Sequence, residues 1–202
     1  MSRFPQRESE ELTNSQKRIG ENVHEMLGRF PQLDYQDSEG NFLGPFQSLI
    51  YTPEIIDPFF ELGFAVTRQT RFTPKERELI VLAVLAEYDA PYPLYIHSEI
   101  ALKCGLSELQ VQQAVNGTTP DGLGVVEATI YEFALKLTRL RGPLPATDFE
   151  HARKKLPEHR IAGLAHVVCG YTQVCLLSNI GDNYVPPAKE GVFRATKNSK
   201  TS

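Results

Sequence analysis

Thr73-Pro74-Lys75-Glu76 and the eight uncharged apolar residues from Leu79 to Ala86 constrain this chain more than any other stretch. The tetrapeptide combines a threonine N-cap, a proline at the first helical position and a glutamate at the third, which marks a helix start. The run behind it is apolar on every side of a helical wheel, so that helix is satisfied only with neighbours all round it. A central helix in a multi-helix bundle is the expectation, and the rest of the chain must wrap it.

The flanking sequence supplies the wrapping. A loose stripe of Leu12, Ile19, Val23, Met26 and Leu27 predicts a peripheral helix over about 11–27, ended by Gly28. After the short apolar segment 46–51, Thr52-Pro53 reads as an N-cap and first-turn pair for a helix to about Gln69, bent or restarted at Pro58. Helices follow over about 92–104, ended by Gly105, from the capping box Ser107 to Gln110, and over 125–140. Thr147-Asp148-Phe149-Glu150 caps a short helix, and 158–180 forms the last long one. Seven or eight helices without a strand make an all-α, single-domain bundle. Residues 1–40 read as an N-terminal helix and connecting segment of that domain, 41–185 as its core, and 186–202 as a mobile tail.

Composition narrows the function classes. With 21 Lys and Arg against 25 Asp and Glu, the net charge of −4 lacks the basic excess that phosphate neutralisation needs, which argues against nucleic acid. No unbroken apolar run approaches the roughly 20 residues of a membrane span, and the N-terminus has no apolar signal core. No membrane role and a cytoplasmic location are therefore expected. Cys104, Cys169 and Cys175 are odd in number, lie in helical patterns and form no Cys-x-x-Cys, so neither a disulfide framework nor thiol exchange is indicated.

Metal and cofactor motifs are missing too. Glu21-Asn22-Val23-His24 matches Glu-x-x-His, but a di-iron bundle needs that motif twice. His159 and His166 differ in height by about 10 Å along one helix, too far to share an ion. No phosphate loop, dinucleotide fingerprint or nucleophile elbow occurs, so no cofactor is expected. Two residues stand out by position. Glu78 enters the most apolar helix, where its charge needs a partner, and His97 shares a helix face with Leu94, Ala101 and Cys104. Taken alone, each also suits an ordinary structural role.

The segments Asn41-Phe42-Leu43-Gly44-Pro45-Phe46, Lys75-Glu76-Arg77-Glu78-Leu79-Ile80-Val81-Leu82 and His97-Ser98-Glu99-Ile100-Ala101, closing with Cys104-Gly105-Leu106, together resemble the carboxymuconolactone decarboxylase-like family of the alkyl hydroperoxidase D-like superfamily. The resemblance implies an all-helical homo-oligomer whose catalytic residues match Glu78 and His97 here. Peroxidase-type members carry Cys-x-x-Cys-x-x-x-His, whereas this chain has Ala90 and Pro93 at the cysteine positions, so peroxidase activity is not carried over. Decarboxylase-type members have a Glu-Trp pair ahead of the histidine. This chain reads Tyr92-Pro93-Leu94-Tyr95-Ile96-His97 instead, so the muconolactone substrate is not carried over either.

The chemistry that suits these groups is proton transfer beside a carbonyl. Loss of CO2 from a β-keto or vinylogous acid leaves an enolate-like carbanion that needs a proton, and a histidine can supply it near neutral pH. Glu78 would orient His97 or act as a second acid, with Tyr92 and Tyr95 as substrate-binding hydrogen-bond donors. The expectation is a cofactor-free carbon-carbon lyase decarboxylating a small oxygenated ring acid. An isomerase, a dehydratase, or a non-catalytic helical binding protein remains as an alternative. An open pocket holding both Glu78 and His97 favours the enzyme, and a pocket filled by Tyr92 or phenylalanine favours the binding protein.

Overall fold

The computed structural model describes residues 3–5, 12–28, 30–181 and 185; the expected tail, 186–202, lies outside the described residues. Among the described residues ten helical segments follow one another: α1 (Asn14–Lys17), α2 (Ile19–Leu27), α3 (Phe46–Leu49), α4 (Pro53–Arg68), α5 (Pro74–Leu85), α6 (Pro91–Lys103), α7 (Glu108–Val115), α8 (Val125–Arg139), α9 (Ala146–Arg153) and α10 (Glu158–Ile180). The four-residue α1 and α3 are single turns, leaving eight longer helices, the all-α bundle read from the sequence. β pairing among the described residues is confined to an isolated antiparallel bridge between Gln36 and Phe42.

The central position of α5 follows from its composition. Thr73 Oγ1 accepts from the Glu76 N–H while the Glu76 carboxylate accepts from the Thr73 N–H, so two end donors are satisfied and the helix starts in a defined phase. From Glu78 to Ala86 no residue is more than 4% exposed, and α6, α7, α8 and α10 enclose the helix. A second apolar cluster joins Ile19 and Val23 of α2, Phe46 and Leu49 of α3, Ile56 and Phe60 of α4, and Tyr92, Tyr95 and Ile96 of α6.

Several local expectations are corrected. The first helix breaks at Arg18 into α1 and α2. Thr52 makes no side-chain cap, because its hydroxyl turns back to the Leu49 carbonyl at 3.5 Å. Pro58 lies inside an unbroken α4: burial of Ile56 and Phe60 along its core face offsets one missing intrahelical donor. The helix assigned to Thr147 as cap starts two residues earlier, at Ala146 behind Pro145, which places Thr147 within it. Counting unbroken apolar runs also overlooks α10, whose 23 residues and mean hydropathy of 1.5 suffice, by length and composition, to cross a membrane. Here α10 packs on α5, α8 and α4 through Ile161, Leu164, Val167, Val168 and Cys175, as a core helix does.

Gly44 shows how tightly the segment before α3 is docked. Its φ of +63° is costly for any residue with a Cβ, and a Cβ there would lie 2.1 Å from Cδ1 of the buried Tyr92 ring. Gly40 has a similar φ of +84° but open space around it. Gly44→Ala should therefore cost about 2 to 5 kcal/mol, backbone strain plus overpacking, while Gly40→Ala costs only the strain, about 1 to 2 kcal/mol. Urea unfolding midpoints of the two variants check this; equal losses would contradict the clash at Tyr92.

Candidate active site

Helix phase delivers the central pair. With α5 starting at Pro74, Glu78 falls in its second turn on the side facing α6. Pro91 and Pro93 sit in the first turn of α6, where no intrahelical donor is lost, and His97 follows on the side facing α5. His97 Nδ1 and Glu78 Oε2 are 2.8 Å apart, and the two side chains are only 11% and 5% exposed. An ionised Glu78 requires the proton on Nδ1, which leaves Nε2 as the position that takes or gives a proton. From α10, the Tyr171 ring meets the imidazole edge-on, with centroids 4.8 Å apart at 88°. The imidazole plane is thus held from two sides.

The pair opens into a partly enclosed cavity of about 130 Å³. Its wall is mainly apolar, formed by Phe30, Phe46, Phe59, Val66, Ile96 and Ile100, with Arg77, Glu78, His97 and Tyr171 among its polar groups. Gln173 and Leu62 line it from exposed positions. In a space with so few polar groups, each charge acts through a lower effective dielectric than in water.

The two tyrosines are placed differently from that pair. The Tyr92 ring lines the cavity, but its hydroxyl donates to the Asp34 carbonyl at 3.0 Å. The Tyr95 hydroxyl donates to the Gln32 carbonyl and accepts from the Asp34 N–H, both at 3.3 Å, and Tyr95 is not part of the cavity wall. Burial pushes both phenols above their ordinary range, although for Tyr95 the hydrogen bond from the Asp34 N–H works in the opposite direction, so they stay protonated. Both tie α6 to the segment before Tyr35. Sequence reading passed over Arg77, Tyr171 and Gln173; Arg77 adjoins Glu78 in the chain, but nothing local in the pattern of α10 marks Tyr171. His166 is exposed and away from the cavity.

No cysteine lines the cavity, and no cluster of three or more His, Cys, Asp or Glu suited to a metal occurs among the described residues. Cys104 is half-buried at the end of α6, Cys169 is exposed and Cys175 is buried, all as free thiols.

Residues 53–150 match the model of the carboxymuconolactone decarboxylase family. Among solved structures the chain is similar to an alkylhydroperoxidase AhpD core, an uncharacterized peroxidase-related protein from Ralstonia eutropha JMP134, with a TM-score of 0.73 and 19% identity over 93% of each chain. It is also similar to a cysteine-to-alanine variant of the debrominase Bmp8 in complex with 2,3,4-tribromopyrrole, with a TM-score of 0.70 and 15% identity over 94% of each chain. At such identities the likeness establishes the fold. A comparison with curated proteins finds no match.

The thiols give a direct check on this packing. Burial pushes the Cys175 thiol up to about 12, so at pH 8 it stays protonated as well as inaccessible. Iodoacetamide at pH 8 should leave Cys175 unmodified in the folded protein and label it once denaturant is added, as peptide mapping by mass spectrometry would read. Labelling of Cys175 in the folded chain would contradict the packing of α10 against α5.

Proposed function

We propose, on the match of residues 53–150 to the carboxymuconolactone decarboxylase family model and the alkylhydroperoxidase D-like fold, that this chain is a proton-transfer lyase acting without a thiol nucleophile. The substrate class is a small oxygenated ring bearing a carboxylic acid, and the reaction is decarboxylation. The observation that carries this reading is the 2.8 Å contact between His97 Nδ1 and Glu78 Oε2 in the wall of an open, mostly apolar cavity. A cavity filled by the Tyr92 ring would have favoured a binding protein, but that ring is anchored to the wall through Asp34.

In this mechanism the substrate carboxylate leaves as CO2, and the electron pair of the broken carbon-carbon bond remains on the ring as an enolate-like carbanion. His97, protonated on both nitrogens, gives the Nε2 proton to that carbon, and the neutral imidazole regains a proton from solvent. Glu78 holds Nδ1–H throughout and stabilises the imidazolium before the transfer. The apolar wall favours the departure, because a carboxylate loses its charge as CO2 forms. The peroxidase-related and debrominase relatives share the fold, but with Ala90 and Pro93 ahead of His97 this chain brings no sulfur to that position.

His97→Ala should lower turnover of such an acid by roughly 10²-fold or more with helicity unchanged. Glu78→Gln should lower it less, and the double variant should lose less than the product of the two single losses, since the residues act as a unit. Mass spectrometry of a panel of ring carboxylic acids, reading loss of CO2, supplies the assay. Full turnover in a folded His97→Ala protein would remove the reading.

We also propose a homo-oligomer assembled through α10. Ala162, His166, Cys169, Gln173, Leu176 and Ile180 form an exposed row spaced alternately four and three residues apart, and Leu176 and Ile180 are 51% and 49% exposed. That repeat is the seam spacing of paired helices, and a second copy of the same helix is its simplest complement. Sedimentation at micromolar concentration should give more than 22.7 kDa for the wild type, and Leu176→Lys with Ile180→Lys should shift it to the monomer. A monomeric wild type would exclude the assembly.

A further inference from the structure

Arg77 is left without a partner where a partner would be expected. Its Nε is buried with no hydrogen bond, and the residue takes part in no ion pair among the described residues. Comparable arginines are matched: Arg139 pairs with Glu87, Arg18 with Asp57, and Arg153 with Glu150. Arg160 has unsatisfied donors too, but its guanidinium lies 2.8 Å from Glu76 and over the Phe72 ring, outside the cavity. Of these arginines only Arg77 lines the cavity that holds Glu78 and His97, and its buried Nε is unmatched.

A guanidinium stays ionised at any ordinary pH, so burial cannot silence it, and an unmatched buried donor is costly. The neighbouring Glu78 directs Oε2 to His97 Nδ1 and forms no ion pair with Arg77. An acceptor from outside the protein is therefore what the site lacks, and a planar oxyanion suits the guanidinium fork best, through paired charge-assisted hydrogen bonds.

We infer that Arg77 is the anion anchor of the cavity, binding a carboxylate of the ligand beside the His97–Glu78 pair. The inference rests on the cavity being the substrate site. Within the proposed reaction the anchored group is a second carboxylate that keeps its charge, so the substrate is a dicarboxylic acid, because a fixed cation on the departing carboxylate would hold back the loss of CO2. Arg77 thus positions the ligand while His97 handles the proton, and the product leaves as an anion.

Binding without turnover tests this separately from the reaction. Calorimetric titration of the full chain at about pH 8, above the ordinary histidine range, would compare benzoate and phenylacetate with benzamide and phenylacetamide. The wild type should bind each carboxylate at least roughly tenfold more tightly than its amide. Arg77→Gln should abolish that preference, and Arg77→Lys, which keeps the charge but not the fork, should retain part of it. Circular dichroism confirms the fold of each variant, and if Arg77→Gln fails to fold, the wild-type and Arg77→Lys comparisons still decide. No saturable carboxylate binding, equal binding of acid and amide, or a preference that survives Arg77→Gln would each overturn the assignment. Arg77-dependent binding without any decarboxylation would uphold the anchor and remove the proposed reaction. Decarboxylation indifferent to Arg77 would do the reverse.

Discussion

A helix with no solvent face sets the terms for the rest of this molecule. From Glu78 to Ala86, α5 is sealed by α6, α7, α8 and α10, and each fully buried Leu, Ile or Val along it contributes about 1.5 to 3 kcal/mol. Between Glu78 and Ala86 an unpaired charge is costly, and the carboxyl group of Glu78 sits there. His97 of the neighbouring helix meets that cost by bringing Nδ1 to 2.8 Å from Glu78 Oε2. A buried pair of this kind is modest evidence for stability, since desolvation consumes most of what the contact returns. It is better understood as the arrangement that lets an acid-base couple exist inside an apolar bundle.

The geometry around the pair works toward the same end. Tyr171 fixes the imidazole edge-on, and Glu78 fixes the nitrogen facing it, so the proton inventory of Nε2 is the remaining freedom of that ring. The tyrosines of α6 act one layer out. Their hydroxyls are consumed by backbone groups of Gln32 and Asp34, and this holds the segment before α3 against α6 and places Phe30 and Phe46 in the cavity wall. Gly44 belongs to the same joint, since only a residue without a Cβ lets the chain pass the Tyr92 ring at that φ.

Legibility in the sequence tracked how local each cause was. The phases of α5 and α6 are set by a capping box and first-turn prolines, which are written within a few residues, so Glu78 and His97 were found and fall side by side. The destinations of the Tyr92 and Tyr95 hydroxyls depend on carbonyls some sixty positions earlier in a segment without periodicity, which no helical pattern reveals. Pro58 misled because its local penalty is outweighed by tertiary burial along α4. Thr147 misled because the backbone already turns helical at Ala146 behind Pro145. Arg77 escaped notice for a related reason: what distinguishes it is a missing partner, and absence of a partner is a property of the assembled bundle.

The division of the cavity between chain regions bears on how far the family match informs its chemistry. Arg77, Glu78 and His97 lie within residues 53–150, the stretch that matches the family model. Phe30, Pro45 and Phe46 precede that stretch, and Gly170, Tyr171, Gln173 and Val174 follow it. The family match thus speaks to the charged groups of the cavity, whereas much of the remaining wall comes from outside the match. The pair itself is carried by α5 and α6 and steadied by Tyr171 of α10, so the match covers its two titratable groups but not the ring that packs on them. The rest of the cavity is shaped in part by a joint that hinges on Gly44, Tyr92 and the backbone at Asp34, and by one face of α10.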